Sequence, residues 1–258
     1  MEDAMTQIIS LKSLERSLDA LLAPSQYSDY APNGLQVEGR SEVGHVVVGV
    51  SANQALIDRA IELRADAVIV HHGFFWKGEP QALRGWKGRR IGALMRHDIS
   101  LFGYHLPLDA HAELGNNVQV LKALGALPSA QFGGGSPPLG WLGQLAEATP
   151  RSEMIARLEA AVGPVGTAFL HGPELISRVG VVTGGGAGFF EAALAEDVDL
   201  FVTGEPSEQS QGYAVELGGN FVAAGHHATE RFGPRALGDY LSNTFSLAVT
   251  FVDIANPV

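Results

Sequence analysis

Short apolar runs alternate along the chain with longer stretches whose apolar residues recur every three or four positions, the first pattern fitting strands and the second helices. The runs at 46–50, 67–70 and 100–104 predict strands, and the stretches 54–63, 89–96 and 113–124 predict helices. After Leu124 the pattern breaks at Pro128, Gly133, Gly134, Gly135, Pro137 and Pro138. It then resumes, with strands expected at 139–145, 165–170, 178–183, 200–203, 220–224 and 247–252 and helices at 152–161, 188–195, 207–217 and 229–241. Ser152 is the expected N-cap of the first of these helices, and Pro234 either kinks the last or starts it afresh. Such an alternation reads as an α/β fold with mainly parallel sheets covered by helices.

The Gly/Pro-rich break marks the expected boundary between a first α/β domain, residues 1–127, and a second, 128–244, with 245–258 returning to the first. The two parts look related. Sliding the chain by 133 residues lays Ile57-Asp58-Arg59-Ala60-Ile61 over Phe190-Glu191-Ala192-Ala193-Leu194 and Asp66-Ala67-Val68-Ile69-Val70 over Asp199-Leu200-Phe201-Val202-Thr203 without a gap. A slide of 121 lays Tyr104-His105 over Gly225-His226 and Asp109 over Glu230, and the difference of 12 is assigned to a longer loop within 73–90. The expected architecture is two related, interlinked α/β domains.

Composition narrows the function. With 258 residues and 46% of them hydrophobic, the chain can bury a sizeable core, which excludes a disordered linker. Twenty-eight acidic against 17 basic residues give a net charge of −11, which disfavours nucleic acid and anionic membranes as partners. The helical spacing over 1–22 is interrupted by Lys12, Glu15, Arg16 and Asp19, unlike a signal peptide, and no apolar stretch of about 18 residues follows, so a cytoplasmic protein is expected. The absence of cysteine rules out disulfides, thiolate metal sites and thiol catalysis, and leaves His, Asp and Glu as the ligand vocabulary.

Those residues gather where chemistry is expected in an α/β protein, at the carboxyl ends of predicted strands. One strand runs into His71-His72-Gly73, a second into His105, Asp109 and His111, a third into Gly204-Glu205, and a fourth into His226-His227 and Glu230. Nine histidines in 258 residues give about 0.3 His-His dipeptides by chance, whereas two occur, both just past an apolar run. Imidazoles mixed with carboxylates suit divalent transition metals. His71, His72, Asp109, His226 and Glu230 supply five potential ligands and His105 a sixth, more than one ion needs, so two ions are expected. Side chains alternate along a strand, so His71 and His72 are expected to serve one ion each. Pro107 is expected to hold Leu106 out of a helix, whereas His226 and Glu230 can share a helical face. His45, His97 and His171, which stand alone, are read as ordinary core or surface residues.

His71-His72-Gly73-Phe74-Phe75-Trp76, Tyr104-His105-Leu106-Pro107-Leu108-Asp109, Thr203-Gly204-Glu205 and Gly225-His226-His227-Ala228-Thr229-Glu230, in this order, resemble the YbgI-type dinuclear-metal family, whose members carry the name GTP cyclohydrolase 1 type 2 homologue. Asp29-Tyr30-Ala31-Pro32-Asn33-Gly34-Leu35-Gln36-Val37 is similar to that family's N-terminal stretch. The resemblance implies a dinuclear metal site between the two domains, with ligands at His71, His72, Asp109, His226 and Glu230, and acid/base or supporting work at His105. It also implies a toroidal homohexamer, with the segment around 133–138 as the interdomain link.

Three further features bear on function. Gly184-Gly185-Gly186-Ala187-Gly188 opens a predicted helix and reads either as an anion site or as a tight turn. Phe74, Phe75, Trp76 and Trp86 lie among Lys77, Arg84, Lys87, Arg89 and Arg90, a stretch that can meet a ligand, contact a neighbouring subunit or simply pack. Ser51 and Ser207 lack a nucleophile-elbow setting, so serine hydrolysis is discounted. Together these features predict a metal-dependent hydrolase of a nucleotide-like or phosphorylated small molecule, with His105 and then Glu205 as proton-handling residues, and the resemblance implies GTP cyclohydrolase-like turnover as one form of it. The two ions are drawn from zinc, manganese, iron or nickel. The competing class is a ring-shaped metal-containing scaffold without turnover, associated with nucleic acid.

Overall fold

The computed structural model of the chain describes residues 7–258, so the part of the expected helical stretch that falls on residues 1–6 lies outside the described residues. In chain order the elements are β1 (Ile9–Ser10), α1 (Leu11–Leu22), β2 (Gly34–Val37), β3 (Glu42–Val43), β4 (His45–Ser51), α2 (Gln54–Glu62), β5 (Ala67–His72), α3 (Gly85–Arg96), β6 (Ser100–Gly103), α4 (Leu106–Ala110) and α5 (Asn116–Ala123). There follow β7 (Leu127–Phe132), β8 (Gly140–Pro150), α6 (Arg151–Val162), β9 (Thr167–Leu170), β10 (Leu175–Val182), α7 (Phe190–Leu194), β11 (Leu200–Thr203), α8 (Gln209–Leu217), β12 (Asn220–Ala223), α9 (His226–Glu230), α10 (Phe232–Phe245) and β13 (Ala248–Phe251). Among the described residues no helix is long and apolar enough to cross a membrane.

Contacts divide the chain into two compact units, residues 7–108 with Pro234–Ala255, and Asp109–Gly233 with Asn256–Val258. The divisions fall within α4 and near the start of α10 instead of at 127/128 and 244/245. The Gly/Pro-rich segment 133–138 is not a link between units but the loop of an antiparallel hairpin, in which β7 pairs with β8 from Leu127↔Gln144 to Phe132↔Gly140. Gly133 and Gly135 adopt φ of +89° and +109° there, a backbone that glycine takes without strain. Tight turns and linkers draw on the same residues, so composition alone does not separate them.

The first unit holds a five-stranded sheet in the order β13-β4-β5-β6-β2, parallel except for β2. Its inner strands are buried on both faces, which is why Ala67-Val68-Ile69-Val70 is an unbroken apolar run. The second unit holds a six-stranded sheet in the order β7-β8-β10-β11-β12-β9, in which only β10, β11 and β12 run parallel. This sheet is mixed, a correction to the mainly parallel expectation that follows from the hairpin and from the antiparallel edge strand β9. Two local expectations also change. Ser152 lies inside α6, whose N-cap is Pro150, and α10 begins at Phe232 with Pro234 in its first turn, where a missing N–H costs no helical bond.

The internal repeat is present in the backbone. Asp66 Oδ2 accepts from the backbone N–H of Gly44 and His45 at 2.8 and 2.9 Å, and Asp199 Oδ2 accepts from Ser177 and Arg178 at the same distances, each pair offset by 133 residues. Arg64 and Asp197, also 133 apart, both close a helix at φ near +55°, at 55° and 54°. Past β5 and β11 the offset becomes 120, because Val68↔Leu101 corresponds to Phe201↔Phe221, and the left-handed residues Asp98 and Gly218 keep that offset. The second slide is therefore 120 instead of 121, and the first copy carries 13 more residues between its matched strands β5 and β6 than the second does between β11 and β12. In this register Asp109 corresponds to Thr229, so the matching His-x3-acid spacings are not equivalent positions. Replacing Asp66 by alanine leaves the N–H groups of Gly44 and His45 without their acceptor, and replacing Asp199 does the same to Ser177 and Arg178 within β10. Each variant is expected to lose about 1–3 kcal/mol, read as a lower urea midpoint, and an unchanged midpoint would show that the clamp carries no stability.

Candidate metal centre

In the first unit β5 ends on His71 and His72, while His105 precedes α4. The ligand-capable atoms of these three residues lie within 4.8 Å of one another. The His71 and His72 rings are 4.5 Å apart at 43°, so they do not part to opposite sides as strand alternation predicts. His72 is the last residue of β5, and its ring turns toward Ser51, whose Oγ lies 3.1 Å from His72 Nδ1.

Each imidazole is oriented through its Nδ1. His71 is fully buried and donates to the Tyr104 carbonyl at 3.0 Å. His105 donates to Asp29 Oδ1 at 2.9 Å. In the tautomers that donate from Nδ1, all three rings present Nε2 lone pairs, and such outer partners commonly fix ligand imidazoles. Tyr30 and Trp76 meet the His105 ring edge to face, at 5.0 and 5.1 Å between centroids.

Asp29 is the hub of this half. It also accepts from the backbone N–H of Ala31 and Leu106 and from Asn33 Nδ2, and Asn33 Oδ1 accepts from His105 N at 2.7 Å. Burial alone would raise the Asp29 pKa, but the hydrogen bonds from His105 and Asn33 outweigh it and hold the carboxyl well below the usual range. Gln36 ties the same loop to the strand end, accepting from Phe74 N at 2.7 Å and donating to the Pro32 carbonyl at 2.7 Å. It lies where a Cβ on Gly73 or Gly103 would stand. Asp29, Asn33 and Gln36 carry no signal as site residues except the resemblance of residues 29–37, because His105 is 76 positions from Asp29.

In the second unit His226 lies between two carboxylates, with Nδ1 2.5 Å from Glu205 Oε1 and Nε2 3.1 Å from Glu230 Oε1. Burial works against protonation of His226, but Glu230 and then Glu205 outweigh it and push its pKa up to about 9. Asp109 is buried, accepts from Asn116 Nδ2 at 2.9 Å and Thr183 Oγ1 at 3.2 Å, and has a carboxylate oxygen within 4.8 Å of one from Glu230. It stands in α4, which forms despite Pro107 because that residue occupies the first helical turn.

Gly184 explains the glycine-rich turn. Its φ is +62°, and a Cβ there would collide with Glu230 Oε1 and come within 3.1 Å of His226 Nε2. A side chain at Gly204 would strike the His226 Cα at 2.6 Å. These glycines admit the His226–Glu230 pair, and the tight-turn reading therefore accounts for them.

Four of the five remaining histidines have other settings, and the fifth, His227, is buried in α9. His45 bridges the Leu63 carbonyl and Thr250, His111 accepts from the N–H groups of Glu113 and Leu114, and His97 and His171 are exposed. The described residues thus include His, Asp and Glu groups that can hold a metal ion, and the nitrogen and oxygen donors fit a divalent transition metal.

A profile of Duf34/NIF3 (NGG1p interacting factor 3) matches residues 9–257. The chain belongs to the DUF34/NIF3 family. Within DUF34/NIF3, a Salmonella typhimurium protein named GTP cyclohydrolase 1 type 2 homolog is 49% identical over 246 residues, which cover 95% of this chain and 98% of that protein. The Escherichia coli K12 protein of the same name matches with the same identity and coverage. Among solved structures, protein ybgI, described as of unknown function, superposes with a TM-score of 0.92 at 47% identity over 97% of this chain and 100% of its own. A protein of Thermus thermophilus superposes with a TM-score of 0.87 at 34% identity over the same shares.

The depressed pKa of Asp29 gives this DUF34/NIF3 chain a pH signature. Stability from the ionised carboxylate is present above the ordinary carboxylate pKa of about 3.9 and is lost as pH falls toward the lower value of the folded group. Asp29→Asn is expected to lower stability near neutrality and to flatten its acid-side decline, followed as urea midpoints between about pH 3 and 7. Parallel curves for the two proteins would remove Asp29 as the source.

Proposed function

We propose that this chain is a divalent-metal-dependent hydrolase of a nucleotide-like or phosphorylated small molecule, with His71, His72, Asp109, His226 and Glu230 holding two ions. The reading rests on one observation above all, the convergence of three imidazoles whose Nδ1 atoms are engaged by Tyr104, Ser51 and Asp29. Three imidazoles and the carboxylates of the second unit together exceed the needs of a single ion, which supports a dinuclear centre. When bound, the ions supply Lewis acidity and a water acidified enough to attack near neutral pH.

The chain's own residues supply positioning and proton transfer. With Nδ1–H donated to Asp29, His105 offers Nε2 as a base, and the carboxylate stabilises the imidazolium that forms. Glu205 orients His226 through Nδ1 and is the second proton-handling group. The names of the relatives put GTP first among substrates to try. The proposed setting is the cytoplasm, as a toroidal homohexamer.

Metal analysis of the purified protein, light scattering and a nucleotide hydrolysis screen test this reading together. About two ions per chain are expected, with His226→Ala and Glu230→Gln losing metal and at least about 100-fold in turnover while the oligomer persists. Metal far below one ion per chain would sink the site. Collapse of the oligomer in these variants, with no turnover in the wild type, would favour the scaffold class.

A further inference from the structure

The 13 residues that lengthen the first copy follow β5 and run into the start of α3, and the charge of the region from there through α3 is opposite to that of the chain. From Lys77 to Arg96 there are six basic residues and one acidic residue, Glu79, in a protein of net charge −11. Lys87 is buried and paired with Glu79 at 2.8 Å. Among the described residues none of Lys77, Arg84, Arg89, Arg90 and Arg96 has a carboxylate partner.

Arg90 is the distinctive member. Its guanidinium lies 4.8 Å over the ring of Trp86, itself half exposed, and Nη1 makes a long 3.4 Å bond to the Ala52 carbonyl. Ala52 follows Ser51, whose hydroxyl touches His72, and Ala52 N donates to the His72 carbonyl at 2.8 Å. The loop that holds the ring of His72 therefore also holds Arg90. Arg90 is partly desolvated, and burial followed by the Arg89 charge pulls its pKa down, so the cation lacks compensation. A planar guanidinium backed by an aromatic ring and short of acceptors suits an oxyanion, which it can meet with two parallel hydrogen bonds.

We propose that Arg90, backed by Trp86 and assisted by Arg89, is the subsite that binds a phosphoryl group of a small-molecule substrate. This deepens the hydrolase reading, on which it rests for the substrate's place beside His72, and it assigns substrate recognition to the N-terminal half of α3, just after the added loop of the first copy.

Tripolyphosphate is the probe, titrated calorimetrically into the metal-loaded protein, its Arg90→Ala and Arg90→Lys variants, and an Arg16→Ala control on the exposed side of α1. Arg90→Ala is expected to weaken binding about tenfold or more, with Arg90→Lys between it and wild type because it keeps charge without the fork. Metal content and thermal midpoint should stay unchanged, and Arg16→Ala should bind as wild type. Equal affinity in wild type and Arg90→Ala overturns the proposal even if metal and hydrolysis are present. Arg90-dependent binding in a protein that turns over no nucleotide supports the subsite and removes only the hydrolase reading. A single-stranded oligonucleotide that binds through Arg90 far more tightly than tripolyphosphate overturns the small-molecule assignment.

Discussion

A carboxylate removed from water needs donors on every side, and Asp29, with its side chain 2% exposed, has four: the N–H groups of Ala31 and Leu106, the Asn33 amide and the His105 imidazole. That requirement fixes more than one residue. It folds the 29–33 turn, supplies an acceptor at the start of α4, and fixes the His105 ring 5.0 and 5.7 Å from those of His71 and His72. Asn33 closes the circuit by accepting from the His105 backbone. The histidine cluster therefore depends on a loop that itself contributes no ligand to the proposed centre.

The duplicated unit explains why polar groups collect at these strand ends. In each copy one Asp fixes two backbone N–H groups of the preceding strand region, and a left-handed residue ends the helix that leads into the next strand. These are backbone constraints that both copies share, whereas the side chains at their strand ends differ. At the offset of 133, His72 corresponds to Glu205, and at 120 His105 corresponds to Gly225. The first copy presents His71, His72 and His105 with Asp109, and the second presents His226 with Glu205 and Glu230, so imidazoles dominate one copy and carboxylates the other.

Much of this was legible in the sequence, and the failures share a cause. Buried parallel strands such as Ala67–His72 announce themselves by continuous apolarity, and the histidines that follow were visible for the same reason. The slide of 133 was correct because a helix, an Asp and a strand had to match together. The slide of 121 was drawn to a resemblance between residue types, whereas the ladder places the register one residue away. The β7–β8 hairpin was hidden because Gly133 and Pro138 carry the composition of a linker, and the antiparallel partner across the turn is a tertiary fact. Asp29 was hidden for a similar reason, since its importance lies in partners far along the chain.

Net charge was the most misleading global quantity. At physiological ionic strength the field of an exposed charge fades over about 8 Å, so an anion beside Arg90 responds to its immediate neighbours far more than to the total of −11. Those neighbours are Arg89 and a stretch in which the single acid, Glu79, is already committed to Lys87. Long-range steering remains unfavourable for such an anion, and capture has to occur at short range. A recognition element of that kind gains from fixed geometry more than from charge count, which is what a guanidinium held between an indole ring and a backbone carbonyl provides. The N-terminal half of α3, next to the added loop, therefore reverses the local electrostatics of an acidic protein while the matched strands on either side keep their register.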